Sequence, residues 1–131
     1  MHNMKTLLLS IFVSTFGFPT ATYAQQVSTL FTKALQELPG KEIELITVNY
    51  APGAVGAIHR HDAHALVYVL EGELEMQVRG GPLRRLGPGK IFYESPEDIH
   101  TVSRNTSKTK SAKFVVFLIK TEGAPIVIPV H

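Results

Sequence analysis

The sequence predicts a single all-β domain, a sandwich or barrel with one short helix at its start. Runs of β-branched, aromatic and aliphatic residues recur about every 8–12 residues. Gly and Pro pairs separate them, at Pro39-Gly40, Pro52-Gly53, Gly80-Gly81-Pro82 and Gly87-Pro88-Gly89. No segment has the length of helical crossover that a parallel sheet requires. At 131 residues the chain suits one hydrophobic core, since such cores organise about 100–150 residues.

Residues 6–32 carry no charge, and the apolar run from Leu7 to Phe18 follows Lys5 and precedes Pro19 and the small residues that end at Ala24. That layout predicts a signal peptide over 1–24, cleaved after Ala24, with 25–131 as the mature domain in a bacterial periplasm. The competing reading, a retained anchor, requires about 20 uninterrupted apolar residues, and Ser10, Ser14, Gly17 and Pro19 break the run. No twin-arginine pair precedes it, so the chain is expected to cross unfolded and to take up any metal outside the cytoplasm.

Beyond that segment, apolar residues at 27, 30, 31, 34, 35 and 38 predict a short helix over Val27–Leu38, stopped by Pro39-Gly40. Glu42–Tyr50 reads as a strand, the continuously apolar Leu66–Leu70 as another, and Glu73–Val78, which alternates strictly, as its hairpin partner. Ile91–Tyr93, Ile99–Val102, Lys113–Ile119 and Ile126–Val130 complete the expected strands. Alternation puts Glu71, Glu73 and Glu75 on one hairpin face, read as solvated charge. Arg79, Arg84 and Arg85 read as a solvated basic hairpin tip.

Composition excludes several chemistries. From Gln25 onward twelve basic side chains face eleven acidic ones, a net +1, which gives no electrostatic reason to expect nucleic acid or, once the signal is cleaved, a membrane as partner. There is no cysteine, so disulfides, thiolate metal sites and cysteine nucleophiles are all absent. Ser95 lies near His100, yet no G-x-S-x-G turn accompanies it. No phosphate-cradling glycine loop is present either.

Histidine carries what chemistry remains. His59, His61 and His64 fall within six residues. On a strand, residues two apart project to one face, roughly 6.6 Å apart along the chain, so His59 and His61 can converge on one ion. A His-x-His pair also arises by chance, and His100, which could fold back to the same pocket, would alone read as a core-rim histidine. Tyr68, Met76, Phe92, Tyr93 and Phe117 could line an apolar pocket there, or could be plain core.

At these residues the sequence resembles the cupins. Pro52-Gly53, His59-x-His61 and Tyr68-Val69-Leu70-Glu71-Gly72-Glu73 are similar to the first cupin motif; Gly87-Pro88-Gly89, Phe92-Tyr93-Glu94-Ser95-Pro96 and His100 are similar to the second. The resemblance implies a jelly-roll double-stranded β-helix with a divalent metal held by His59, His61 and His100. The family's usual glutamate ligand falls at Ala65. Either the site has three histidines and open positions, or His64 substitutes, which needs a bulge or turn at Asp62-Ala63; otherwise His64 is a surface histidine or supports the ligands from behind. Ser95, Glu97 and Arg104 depart from the second motif and bear on turn geometry near His100.

An all-imidazole shell suits Fe, Cu, Ni or Zn and makes a poor cage for Ca²⁺ or Mg²⁺. It would attract an anionic, acidic or enolisable small molecule. Together with the expected export, the resemblance implies a metalloenzyme of the periplasm, dioxygenase- or isomerase-like. The alternatives are a non-catalytic metal or small-molecule binder or sensor, and a barrel with an empty site. Cupins are often dimers, so a homodimer is expected, with the Phe114–Ile119 strand or the Ile126–Val130 tail as contact, although a buried barrel strand explains Phe114–Ile119 equally well.

Overall fold

The computed structural model describes residues 24–131. The expected signal segment lies outside the described residues, except for Ala24. Ten strands follow: β1 (Gln25–Ala34), β2 (Lys41–Tyr50), β3 (His59–Arg60), β4 (Ala63–Glu71), β5 (Leu74–Val78), β6 (Arg84–Leu86), β7 (Ile91–Glu94), β8 (His100–Asn105), β9 (Ala112–Thr121) and β10 (Ile128–Pro129). They form two five-stranded sheets, ordered β1-β2-β9-β4-β7 and β10-β3-β8-β5-β6, and the named strand pairs are antiparallel.

Alternation sets the core. On β2, β4 and β9 every second residue points between the sheets, including Ile46, Val48, Val67, Val69, Phe114, Val116 and Leu118. Leu74, Met76 and Leu86 meet them from the second sheet. Both sheets thus bury one face, which is the driving term for a two-layer β domain.

The helix expected over Val27–Leu38 is instead β1, a strand hydrogen-bonded along β2. Its register shifts between Thr29 and Phe31. That extra residue moves the side-chain alternation by one and leaves an apolar spacing that mimics a helical period. The edge of β2 offers a ladder of backbone partners, which outweighs local spacing.

Glu75 also departs from expectation. It is 6% exposed and receives Arg85 and Arg104 on its carboxylate, so it belongs to a covered ion-pair cluster, not to a solvated face. Arg85 also lies 3.5 Å from Glu73.

Polar side chains fix both ends of the barrel. Asn105 donates to the carbonyls of Ala51 and Lys110 and accepts from the Ser107 amide, tying two loops together. At the rim where β4 begins, Lys120 is 2% exposed and pairs with Glu42 and Glu44 while donating to the Ala124 carbonyl. Lys120 holds the Glu42 carboxyl below its ordinary range, against a smaller opposing effect of burial. A lowered carboxyl stabilises the fold above the unfolded-state pKa and loses that contribution as pH falls.

Two predictions follow from these constraints. Gly72 has φ +77°, and a Cβ there would lie 2.8 Å from both Ala112 Cα and the Ser111 carbonyl oxygen. Gly72→Ala should therefore cost about 2–4 kcal/mol, against about 1 kcal/mol for Gly80→Ala, where nothing lies within 4 Å; chemical denaturation measures both. Lys120→Met should weaken the acid dependence of stability. Without the ammonium, Glu42 loses the partner that lowers its carboxyl, so the fall in melting temperature between pH 8 and pH 4 should be smaller in the variant than in the wild type.

Candidate metal centre

His59 lies on β3, directly opposite His100 on β8, and their ring centroids are 5.0 Å apart. His61 follows β3. Asp62 then takes φ +51°, a left-handed turn that this short polar residue tolerates, and the chain enters β4 with Ala63 facing inward.

The histidine tautomers follow from their partners. His59 Nδ1 donates to the Ala57 carbonyl at 2.8 Å, and His61 Nδ1 donates to the Ile126 carbonyl at 2.6 Å. A carbonyl only accepts, so each Nδ1 holds a proton, and in the neutral ring each Nε2 keeps a lone pair. The two Nε2 atoms face each other at 3.2 Å. Two lone pairs at that separation repel unless a proton or a cation lies between them. Backbone-anchored imidazoles of this kind are the usual arrangement around a bound metal.

A carboxylate completes the cluster. Glu94, on β7, is 2% exposed; its Oε2 lies 3.4 Å from His61 Nε2 and its Oε1 lies 3.0 Å from His100 Nδ1. The second contact is poorly directed and leaves both atoms without a hydrogen bond, as is His100 Nε2. Burial pushes the Glu94 carboxyl up, but the facing imidazoles of His100 and His61 outweigh it and hold the pKa at about 2. Glu94 is therefore a carboxylate. Burial pushes His61 down, yet Glu94 and the Ile126 carbonyl raise it above its ordinary value. Burial lowers His59, with the Ala57 carbonyl opposing.

One ligand atom from each of His59, His61, Glu94 and His100 lies within 4.8 Å of the other three. Three buried polar atoms without partners, set among imidazole and carboxylate donors, fit a first-row divalent ion.

His59, His61 and His100 are thus brought together as expected, and His64 is not. Despite the turn at Asp62, β4 resumes strict alternation, and His64 points outward to bond the Tyr93 hydroxyl at 2.7 Å. Its place is taken by Glu94, for which the sequence offers one signal: it follows Phe92 by two residues in a strand and so shares its inward face. Ala65 is the cross-strand partner of Glu94 and is fully buried. The carboxylate absent from β4 is supplied by the neighbouring strand, and the small Ala65 side chain leaves it space.

A cavity of about 160 Å³ adjoins the four residues. Of the residues expected to line it only Met76 does so; Tyr68, Tyr93 and Phe117 face outward, and Phe92 stacks on the His100 ring at 5.5 Å. The walls include Val48, Val67, Phe114 and Val116, together with Tyr50 and Ser103, whose hydroxyls bond at 2.9 Å. Burial pushes the Tyr50 hydroxyl up, only partly offset by Ser103.

Known structures share this architecture. The cupin_2 domain of an XRE-family transcriptional regulator from Enterobacter cloacae is 26% identical, with a TM-score of 0.57 over 73% of this chain and 96% of that one. An oxalate oxidase in complex with glycolate is 25% identical, with a TM-score of 0.62 over 82% of this chain and 55% of that one. The DMSP lyase DddQ from Ruegeria pomeroyi DSS-3 is 23% identical, with a TM-score of 0.58 over 67% of this chain. This chain spans 43% of that lyase's length. No curated protein matches significantly. The Cupin_2 family model, described as a cupin domain, matches residues 46–118, more than half of the sequence, and the chain accordingly belongs to the cupin-domain family.

Proposed function

We propose that the protein is an exported metal-dependent cupin that binds a small, oxygen-containing acidic or enolisable molecule at His59, His61, Glu94 and His100. The observation that carries the reading is the pair of Nε2 lone pairs 3.2 Å apart, each fixed by a backbone carbonyl. A divalent ion held there would supply Lewis-acid polarisation of a ligand oxygen. The chain's own part is to orient His59 and His61 through the Ala57 and Ile126 carbonyls, to set the Glu94 carboxylate beside them, and to line the adjoining cavity with an apolar wall.

Oxalate oxidase and DMSP lyase among the similar structures support an enzyme, oxidoreductase-like or lyase-like. A second reading has its own support. The cupin_2 domain of a transcriptional regulator is 26% identical to this chain and shares its fold. A single small barrel of this kind can serve as a sensor or binder.

We also infer that two copies pack through the outer face of the β1-β2-β9-β4-β7 sheet. Leu66, Tyr68, Ile91, Tyr93 and Phe117 are 37–56% exposed, and register places them side by side on β4, β7 and β9. Together they leave on the order of 500 Å² of continuous apolar surface, at the upper end for a monomer and most of the roughly 800 Å² per partner in a stable interface. An uncharged face is complementary to itself, as a two-fold contact requires.

Metal analysis of the purified protein should find about one iron, copper, nickel or zinc per chain, and His100→Ala or Glu94→Ala should weaken metal binding at least tenfold with the fold retained by circular dichroism. Retention of stoichiometric metal by both variants overturns the assignment. Turnover with diketones, phenols or hydroxy acids, followed by substrate loss or oxygen uptake, favours the enzyme; binding without turnover favours the sensor. For the interface, sedimentation should give a dimer at micromolar concentration and a folded monomer for Leu66→Glu/Phe117→Glu. A wild-type monomer, including one whose face binds a different chain, overturns the second-copy assignment.

A further inference from the structure

We infer that the cavity beside the metal centre selects a small monoanion bearing a second, uncharged polar group, with its carboxylate or enolate at the histidine end and its hydroxyl or carbonyl on the Tyr50–Ser103 pair. This rests on the metal-centre reading above and goes beyond it by naming the ligand class.

Size sets the first limit. A cavity of about 160 Å³ lies below the roughly 300–1,000 Å³ of sites that take drug-sized ligands. A space of this size takes a compact ligand in preference to a drug-sized one.

Charge sets the second. Three imidazole ligands and one carboxylate ligand, from His59, His61, His100 and Glu94, would leave a divalent ion one positive charge in excess, which one ligand anion neutralises. Among the described residues, neither lysine nor arginine lines the cavity, and Val48, Val67, Met76, Phe114 and Val116 form much of its wall. A second ligand carboxylate that reached past the ion would be buried without a counter-charge.

Hydrogen bonding sets the third. Ser103 and His100 are inward-facing residues on β8 whose partners on β5 are Met76 and Val78, two residues apart. The hydroxyl pair thus lies one side-chain layer, roughly 7 Å, from the histidine layer. Tyr50 and Ser103 share one hydrogen bond, so whichever donates, the other hydroxyl retains a proton to give. Gly56 closes over this pair: a Cβ there would come within 2.6 Å of the Tyr50 hydroxyl. The loop is therefore shaped around the hydroxyl that the ligand would meet.

Three five-carbon probes separate these terms: 5-hydroxypentanoate, pentanoate and glutarate, titrated calorimetrically into zinc-loaded protein with metal content measured in the same samples. We expect 5-hydroxypentanoate to bind about tenfold more tightly than pentanoate, and glutarate to bind more weakly than either. Tyr50→Phe/Ser103→Ala should keep its zinc and its pentanoate affinity within about threefold while losing the preference for the hydroxyl. Equal or tighter binding of glutarate, or a hydroxyl preference that survives in the double variant, overturns this inference alone. Failure of the wild-type protein to take up zinc or any other divalent metal overturns the metal centre and the ligand class with it.

Discussion

Two imidazole lone pairs pressed to within 3.2 Å of each other are the constraint on which the rest of this structure turns. The carbonyls that impose it belong to Ala57, just before β3, and to Ile126, just before β10. The C-terminal tail is therefore part of the site although it contributes no ligand. Pairing of Ile128 and Pro129 with Arg60 and His59 places the Ile126 carbonyl behind His61, so a two-residue strand fixes the direction of a buried ring. Chain segments far apart in sequence have to meet before the site exists, and the two-sheet fold is what brings them together.

The site's charge depends on a cross-strand exchange. Ala65 and Glu94 are direct partners on β4 and β7, both inward and both buried. The carboxylate of the centre therefore stands on β7, across from the small Ala65 side chain on β4. With Glu94 among the four residues, a bound divalent ion would keep one positive charge in excess, against two in an all-histidine shell.

Most strands were legible because their two-residue period matched burial on one face, as in Glu42–Tyr50 and Lys113–Ile119. What was hidden depended on contacts distant in sequence. β1 gains its partners only along the β2 edge, and its register shift disguises its period. β3 and β6 are two and three residues long and exist through their neighbours. Three of the four metal-site residues could be read from histidine spacing and the cupin motifs. The fourth required knowing that β7 lies beside β4, which no local pattern states. Glu75 was misread for a related reason: Arg104, whose guanidinium covers it, sits 29 residues away on β8.

β8 shows how the polar interior is organised. Its inward positions carry His100, Ser103 and Asn105, all at most 4% exposed, where a two-sheet core would ordinarily take aliphatic residues. Each polar side chain so buried is costly unless it is bonded. Asn105 is satisfied by two loop carbonyls and an amide, and Ser103 by Tyr50. His100 alone in this row has neither ring nitrogen satisfied, and it lies at the layer where two other imidazoles and a carboxylate converge. The two satisfied residues show that the strand accommodates buried polarity by providing partners. By the same physics, the unsatisfied one marks the position where the partner comes from outside the chain.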